Sequence, residues 1–290
     1  MKIILGPASK QLGEKIAQLL RVETVPVTFK SFPDGESYIK LEGDVKNDEA
    51  VIVQTTSPPQ DSRLIQLALM ADAVRRLGAK KVQAIVPYLA YARQDKIFLQ
   101  GEALSIATIA NMLKVAGIDS LIAVNVHEEK ALGKFPFPAR TLSAIPTLAE
   151  YFKQRHLKKA FALAPDKGAR HIAEQAQQVL KGDCGYLEKQ RDRYTGQVSM
   201  ETRTLDVKGK TVIIFDDIIS TGGTIIAAAK ILKQLGAETI YASCVHPLLI
   251  GDAEKRILDV GVKEIVGTDS VPSHVSKVSL APLIAKQLRS

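Results

Sequence analysis

The stretch Thr211-Val-Ile-Ile-Phe-Asp-Asp-Ile-Ile-Ser-Thr-Gly-Gly-Thr224, which runs into an Ala-rich helical pattern, decides the fold of this chain. Its apolar run Thr211–Phe215 predicts a buried strand that presents two acids, Asp216 and Asp217, at its carboxyl end. A small, glycine-bearing loop over Phe215–Thr224 then leads into the helix. Unbroken Val/Ile strands that feed helices are typical of a parallel sheet covered on both faces.

This loop has the chemistry to bind a phosphorylated ribose. Ser220, Thr221 and Thr224 offer hydroxyl donors to a phosphate. Gly222 and Gly223 allow backbone N–H groups to converge, and the helix N-terminus that follows favours an anion. The acid pair before the loop can accept hydrogen bonds from ribose hydroxyls or bind Mg²⁺. Because open α/β sheets bind ligands at the carboxyl ends of their strands, we expect the ligand here.

The loop is not the P-loop of an ATPase. No G-x-x-x-x-G-K-[ST] motif occurs in the sequence. Gly209-Lys210-Thr211 imitates the end of that motif, but Thr204 stands where the first glycine should be. The triplet also precedes a predicted strand, whereas a P-loop follows a strand and precedes a helix.

Further apolar runs of strand length alternate with helical patterns along the chain. We predict strands at Ile3–Leu5, Ala50–Gln54, Val82–Val86, Leu121–Val124, Ala160–Leu163, Thr239–Val245 and Glu264–Val266. Asp61 is predicted to cap a helix that ends at Gly78. The apolar face of this helix is formed by Leu64, Leu67, Ala68, Ala71 and Val74.

An internal repeat predicts two similar lobes. Leu77-Gly78-Ala79 leads into one strand, and Leu235-Gly236-Ala237 leads into another about 160 residues later. Each motif also follows a strand and a helix. The Pro-rich stretch Phe135–Pro146 is the best boundary, so we predict lobes at 1–143 and 144–290, with the last helix packing back on the first lobe.

The composition is that of a globular protein without nucleic-acid or membrane partners. Of the 290 residues, 46% are hydrophobic and 24% are charged. The net charge is +8, but the Lys and Arg residues are scattered, which is not typical of a nucleic-acid surface. No apolar run reaches about 18 residues and no signal peptide is recognisable, so we predict a cytoplasmic protein. Cys184 and Cys244 are expected to be reduced thiols.

Further motifs follow predicted strands or form turns in both halves. They are Phe32-Pro-Asp-Gly-Glu36, Tyr91-Ala-Arg-Gln-Asp-Lys96, Asn125-Val-His127, Pro165-Asp-Lys-Gly168 and Leu187-Glu-Lys-Gln-Arg191. Asp216–Thr224 resembles the phosphoribosyl-diphosphate loop of the type I phosphoribosyltransferase fold. With these motifs in the same order, the chain resembles the ribose-phosphate diphosphokinases from end to end, and its length and compact loops resemble the archaeal members. The resemblance implies an α/β protein of two similar lobes of that fold, each a mainly parallel sheet flanked by helices.

The resemblance also implies a transferase of nucleotide biosynthesis. Such an enzyme moves the diphosphoryl group of Mg-ATP to the C1 hydroxyl of ribose 5-phosphate, which gives 5-phosphoribosyl 1-diphosphate and AMP. Phosphoryl transfer depends on positioning and on neutralised charge, and Mg²⁺ is the implied metal. A homo-oligomer in which two subunits share each ATP site is implied as well.

Single residues receive roles from the same resemblance. The ribose 5-phosphate site would consist of Asp216, Asp217, Ser220, Thr221, Gly222, Gly223 and Thr224. The ATP site would consist of Arg93, Gln94, Asp95 and His127, together with Phe32, Asp34 and Glu36 from the neighbouring subunit. The catalytic cations would be Lys189 and Arg191 on a flap, and His127 and Asp166 would lie at the metal. Thr55–Asp61 mirrors the phosphate loop in the first lobe and resembles the family's vestigial second loop.

Some of these assignments leave alternatives open. Arg193 is a second candidate for the flap arginine, because Arg191-Asp-Arg193 repeats the spacing of Lys189-Gln-Arg191. Ala169 stands where many members of the family carry Gly. Without the resemblance, the three features have ordinary interpretations. The charged loop that opens at Leu187–Arg191 would be a solvated hairpin tip, Phe32–Glu36 would be an ordinary turn, and His127 would be a structural histidine.

The fold by itself leaves other functions open. A phosphoribosyltransferase that consumes the same product with a nucleobase would share Asp216–Thr224, but the first lobe would then lack a purpose. A catalytically silent regulator that binds nucleotides would be expected to have lost the flap cations or the histidine, and both are present. The residues therefore favour the diphosphokinase.

Overall fold

The computed structural model describes residues 1–157, 159–191, 198–201 and 205–289, which divide into two units. The first unit comprises Met1–Ser143, Ser270–Pro272 and Ser279–Ser290. The second unit comprises Ala144–Asp269 and Ser273–Val278. The chain thus returns to the first unit after it has completed the second.

The first unit is built on a parallel sheet. Its strands are β1 (Lys2–Leu5), β2 (Thr24–Val25), β3 (Val27–Ser31), β4 (Ser37–Leu41), β5 (Glu49–Val53), β6 (Lys81–Val86), β7 (Ser120–Val124) and β8 (Ala139–Leu142). The sheet has the order β2-β1-β5-β6-β7-β8, and β3 and β4 form a separate antiparallel hairpin. Its helices are α1 (Lys10–Leu20), α2 (Gln60–Arg76) and α3 (Ser105–Val115), with a 3₁₀ turn at Glu129–Lys134. Ile4 and Ile52 are fully buried, as expected for strands covered on both faces.

The second unit repeats this plan. It contains α4 (Ile145–Gln154), β9 (Phe161–Ala164), α5 (Arg170–Leu180), β10 (Cys184–Tyr186), β11 (Glu188–Arg191), β12 (Val198–Glu201), β13 (Thr211–Ile219), α6 (Gly223–Gln234), β14 (Thr239–Pro247), α7 (Ala253–Asp259), β15 (Glu264–Thr268) and β16 (Ser276–Val278). The sheet order is β10-β9-β13-β14-β15-β16, again parallel, and β11 and β12 form a separate antiparallel hairpin. The expected pair of similar, mainly parallel lobes is confirmed.

The repeated Leu-Gly-Ala motifs occupy equivalent turns. Gly78 and Gly236 end α2 and α6 in the left-handed region, with φ of +86° and +79°. The Gly78 carbonyl accepts from the Asn47 N–H at 2.9 Å, and the Gly236 carbonyl accepts from the Gly209 N–H at 2.8 Å. Such matching turns place β5 and β13 at corresponding positions of their sheets.

The final helix, α8 (Ala281–Arg289), belongs to the first unit. It packs against α1, and the Arg289 guanidinium donates to the Leu19 carbonyl. In the described part of the chain, no helix combines the length and the apolar character needed to cross a membrane.

The structure corrects two predicted boundaries. The capping role of Asp61 is wrong, because the Pro59 carbonyl accepts from the Arg63 N–H at 3.1 Å and Asp61 lies inside the first turn of α2. The predicted strand end at Phe215 is also wrong. β13 continues to Ile219 because β14 extends alongside it.

Candidate active site

Asp216 and Asp217 lie on β13 beyond Ile214, where the shorter β9 stops pairing with it. The Asp217 N–H donates to Asp216 Oδ1 at 2.9 Å, and the Ile218 N–H donates to Asp217 Oδ1 at 2.7 Å. Burial raises the pKa of the Asp216 carboxyl well above its ordinary value, and the nearby Asp217 and Asp166 raise it further. The charged form of Asp216 is therefore disfavoured in the ligand-free protein, and a divalent cation bound beside it would favour that form.

The loop after β13 is held from two sides. Gly222 precedes α6 with φ of +79°, and a Cβ there would lie 2.8 Å from Ile257 Cδ1. Glycine avoids both the left-handed strain and this clash. The Ile250 N–H donates to the Ser220 carbonyl at 3.0 Å. Both isoleucines lie well downstream of the loop, and no sequence pattern marks them as its supports.

The loop leaves its donors accessible to an anion. Ser220 and Thr224 are half-buried, and Thr221 and Gly223 are exposed. No described side chain caps α6, so its first backbone N–H groups are available to a ligand. A Cβ at Gly223 would find no described atom within 4 Å, so this side of the loop is open.

Asp166 reaches the same edge of the sheet from the neighbouring strand, β9. Its Oδ1 accepts from the Ala169 N–H at 3.2 Å. Ala169 has φ of −87°, which any L-residue adopts, so the departure from Gly at this position causes no backbone strain.

The predicted ATP segment follows β6 in the first unit. Arg93 is exposed, and Gln94 donates to the Lys96 carbonyl at 3.2 Å. Asp95 is only 8% exposed, and its Oδ2 lies 3.9 Å from Lys96 Nζ. The exposed guanidinium of Arg93 is thus the best-placed group of this segment for an anion or an adenine ring.

His127 follows β7, the neighbour of β6, and so reaches the same edge as the ATP segment. Its side chain is exposed. The preceding residues hold the backbone in place, because Val126 is buried and its N–H donates to Thr141 Oγ1 at 3.2 Å. Within the first unit, the structure therefore brings His127 and Arg93 to one edge.

Phe32–Glu36 is the turn of the β3–β4 hairpin, as predicted. The Phe32 N–H donates to the Glu36 carbonyl at 2.8 Å, and Asp34 Oδ1 accepts from the Glu36 N–H at 3.2 Å. The Phe32 ring is 47% exposed and meets only the edge of Tyr38 among described rings, with centroids 6.4 Å apart. The turn thus presents an aromatic surface that its own described aromatic neighbour does not cover.

Lys189 and Arg191 lie on β11, whose backbone pairs with β12. In this register the backbone of Lys189 pairs with that of Met200, and the backbone of Arg191 pairs with that of Val198. Arg193, the alternative flap arginine, lies outside the described residues. The two hairpins occupy equivalent positions along the chain. The β3–β4 hairpin lies between the sheet strands β2 and β5, and the β11–β12 hairpin lies between the sheet strands β10 and β13.

The described residues do not by themselves form a complete metal cage. No group of three or more His, Cys, Asp or Glu side chains among them has the geometry to hold an ion. Mg²⁺, however, commonly uses one or two carboxylates and takes its other ligands from substrate phosphates and water. Asp216 and Asp217, as adjacent carboxylates in the carboxyl-terminal half of β13, fit that kind of site.

Comparisons with known proteins agree with this arrangement. Residues 1–117 match the family described as the N-terminal domain of ribose phosphate pyrophosphokinase, and residues 143–281 match the phosphoribosyl transferase domain. The chain is 41% identical to a ribose-phosphate pyrophosphokinase of Methanobrevibacter smithii, over 99% of each protein. It is 42% identical to that of Saccharolobus solfataricus, over 93% of each.

A solved structure extends the likeness to three dimensions. The phosphoribosylpyrophosphate synthetase of Mycobacterium smegmatis superposes with a TM-score of 0.88 at 30% identity, covering 100% of this chain and 97% of that one. Both sheets and both hairpins of the present chain thus fall within the superposed length.

Proposed function

The chain belongs to the ribose-phosphate pyrophosphokinase family, and from that premise we propose how its residues divide the reaction. The enzyme makes 5-phosphoribosyl 1-diphosphate from ribose 5-phosphate and ATP. The C1 oxygen of the sugar attacks the β-phosphorus of ATP, the C1 hydroxyl loses its proton, and AMP leaves with the bridging oxygen. In our proposal the first unit binds ATP and the second unit binds ribose 5-phosphate.

The second unit would hold the sugar by its two ends. The N–H groups at the start of α6 and the hydroxyls of Ser220, Thr221 and Thr224 would bind the 5-phosphate, with Gly222 and Gly223 keeping the backbone close. Asp216 and Asp217 would accept from the ribose hydroxyls. The observation that carries this assignment is that α6, which has no side-chain cap, begins one short turn after the strand that holds a half-buried acid pair.

Mg²⁺ would bind near Asp166 and the acid pair in the second unit, and near His127 through the ATP phosphates. When bound, it would neutralise the transferring diphosphoryl group. The raised pKa of Asp216 supports the proposal, because a cation would favour its charged form.

The first unit would position ATP at the edge formed by β6 and β7. Arg93 would stack on adenine or bind a phosphate through its planar guanidinium, with Gln94 and Asp95 completing the segment. Lys189 and Arg191 would screen the developing negative charge from the β11–β12 hairpin. These cations are proposed to act on the transition state more than on ATP itself.

The ATP site is proposed to lie between subunits of a homo-oligomer. Phe32 would cover the adenine of a neighbouring subunit, and Asp34 and Glu36 would accept from its exocyclic amine. The exposed ring of Phe32 supports this assignment. Mixing an inactive Phe32→Ala variant with an inactive Lys189→Ala variant should restore activity, because mixed oligomers contain sites with both native residues. Mixtures that stay inactive after dissociation and reassembly would contradict the shared site.

The cytoplasm is the proposed compartment. Cys184 and Cys244 are both free thiols, and Cys244 is buried in β14. Unpaired cysteines are typical of reducing compartments.

The reaction itself is tested by following ³¹P resonances with ATP, Mg²⁺ and ribose 5-phosphate. We expect AMP and 5-phosphoribosyl 1-diphosphate in equal amounts, and no AMP without the sugar. ADP as the main product would contradict a diphosphoryl transfer. Removal of Mg²⁺ with a chelator should stop the reaction, and unchanged turnover would contradict the metal assignment.

A further inference from the structure

The loop that follows β5 is the first unit's counterpart of the phosphate loop. Strand registers give the correspondence, because Glu49 pairs with Lys81 and Thr211 pairs with Thr239 at equivalent points of the two sheets. Gln54 follows Glu49 by five residues and Asp216 follows Thr211 by five residues, so Gln54 corresponds to Asp216. The next residue, Thr55, corresponds to Asp217.

The polar groups of this counterpart loop bind protein atoms. Gln54 is fully buried, accepts from the Ala8 N–H at 3.0 Å and donates to Gln66 Oε1 at 3.2 Å. A Cβ on Gly6 would lie 2.4 Å from Gln54 Oε1, so the space beside this side chain is already filled. The position that corresponds to Asp216 is therefore occupied by a neutral side chain whose described contacts are to protein atoms, and it does not reproduce the acid pair of the second unit.

Thr56 fastens the same loop to the segment after β6. Its Oγ1 donates to the Tyr88 carbonyl at 2.7 Å and accepts from the Ala90 N–H at 2.8 Å. The Thr56 N–H also donates to the Tyr88 carbonyl, at 3.0 Å. Since Thr56 is fully buried, these three bonds fix residues 88–90 rigidly.

Tyr91, the next residue, is held in an unusual backbone conformation. Its φ is +65°, which is rare for a bulky side chain and persists only where the surroundings impose it. The Tyr91 hydroxyl donates to Asp61 Oδ1 in the first turn of α2. The hydrogen bond to Asp61 raises the pKa of the Tyr91 phenol, as expected for a donor to a carboxylate. The Tyr91 carbonyl in turn accepts from the Gln94 N–H at 3.2 Å.

We propose that Tyr91 and Asp61 form a latch that positions Arg93–Asp95 for ATP, with the counterpart loop acting as a scaffold for the nucleotide segment. Asp61, Thr56 and Tyr91 are positioning residues in this arrangement, and Arg93 is the group that meets the ligand. The inference rests on the ATP role proposed above for Arg93–Asp95. It assigns to the first unit's loop a task other than phosphate binding.

The test compares Michaelis constants for the two substrates in single and double variants of the intact enzyme. Tyr91→Phe removes the hydroxyl and retains the ring. Because the Tyr91–Asp61 hydrogen bond is exposed, we expect the KM for ATP to rise by about two- to fivefold. The KM for ribose 5-phosphate and the melting temperature should change little. Asp61→Ala should raise the KM for ATP by a similar factor, and the double variant should be no worse than either single one.

A matched control is available in the second unit. Tyr151 on α4 accepts from Arg155 Nη1 at 3.2 Å, so Tyr151→Phe also loses one hydroxyl contact to a charged group. This variant should keep both Michaelis constants. If it raises the KM for ATP as much as Tyr91→Phe does, the effect is not specific to the latch and the inference is overturned.

Arg93→Ala separates the latch from the proposed function. If Arg93→Ala raises the KM for ATP while Tyr91→Phe and Asp61→Ala do not, the ATP role stands and the latch is refuted. If Arg93→Ala itself leaves the KM for ATP unchanged, the ATP role of the segment is wrong, and the inference falls with it. Equilibrium binding of a non-hydrolysable ATP analogue should reproduce the order of the Michaelis constants, and weakened catalysis with unchanged analogue binding would also refute the latch.

Discussion

Replacing Gly222 with Ala should disturb the proposed ribose 5-phosphate site through two separate strains. The residue has φ of +79°, and an L-residue in the left-handed region costs about 1–2 kcal/mol. The added Cβ would also lie 2.8 Å from Ile257 Cδ1 and 3.0 Å from its Cγ1. Forcing a methyl group into packed surroundings costs about 1–3 kcal/mol. The sum is about 2–5 kcal/mol if the loop keeps its conformation.

The Ile257 side chain can turn to relieve part of the clash, but the backbone strain at Gly222 is relieved only if the loop moves. A shift of the loop displaces the N–H groups at the start of α6 from the proposed phosphate position, so we expect the KM for ribose 5-phosphate to rise about tenfold. The KM for ATP should remain within about twofold. Steady-state AMP formation at varied concentrations of each substrate, together with urea unfolding, measures both consequences.

Gly209→Ala is the matched control, since it carries the backbone strain without the clash. Its φ is +67°, and no described atom lies within 4 Å of a Cβ built there. This variant should lose about 1 kcal/mol of stability and keep both Michaelis constants. Ile257→Val in the Gly222→Ala background should recover part of the lost stability, because it removes the methyl group that lies closest. A Gly222→Ala enzyme with an unchanged KM for ribose 5-phosphate would refute the assignment of this loop.

Three further outcomes are expected. The folded state holds the Asp216 proton to higher pH than the unfolded state does. The unfolding free energy of the ligand-free enzyme should therefore fall as pH rises from the ordinary aspartate range towards the raised pKa. Asp216→Asn should abolish this fall, as measured by urea titrations, and should also abolish turnover. Lys189→Ala should lower kcat by several orders of magnitude and leave equilibrium binding of an ATP analogue nearly unchanged, so unaltered turnover would exclude the flap role. Arg75 donates to the Gly117 carbonyl at 2.8 Å and to Asp119, so Arg75→Ala should cost about 1–3 kcal/mol in urea unfolding without altering either KM.

The core strands were predictable because their signal is local. Val51–Val53 and Val212–Phe215 are apolar along their whole length, as strands buried on both faces must be. The short edge strands β2, β8, β10 and β16 escaped prediction because two to four residues carry no recognisable period. The true end of β13 was equally hidden, since Asp216–Ile219 stay extended only through their pairing with β14.

The site was predictable where its chemistry is contiguous in sequence. The acids, glycines and hydroxyls of Asp216–Thr224 are adjacent, and the structure confirms that they form a strand end, a turn and a helix start. The residues that pack against this loop come from elsewhere in the chain, such as Ile257, which packs against Gly222. Their role could not be predicted, because in the sequence an isoleucine on a helix looks like any other core residue. Tyr91 was likewise hidden, because a left-handed backbone at a tyrosine is imposed by tertiary contacts.

The two hairpins carry the side chains for which different roles are proposed. Both the β3–β4 and the β11–β12 hairpins lie outside the parallel sheets. Along the chain, each hairpin follows the second sheet strand of its unit, β2 or β10, and precedes β5 or β13. In the β3–β4 hairpin the strands contribute to the core of the first unit, since Leu41 is buried in it and Val27 and Ile39 pack against it. The turn Phe32–Glu36 is exposed, so its residues can change with small effects on stability. The proposed adenine cover, Phe32, and the proposed catalytic cations, Lys189 and Arg191, all lie on these insertions. If Phe32, Asp34 and Glu36 contact ATP as proposed, substitutions in this exposed turn should alter kinetic constants far more than the free energy of unfolding, whereas Leu41→Ala in the same hairpin should lower the free energy of unfolding.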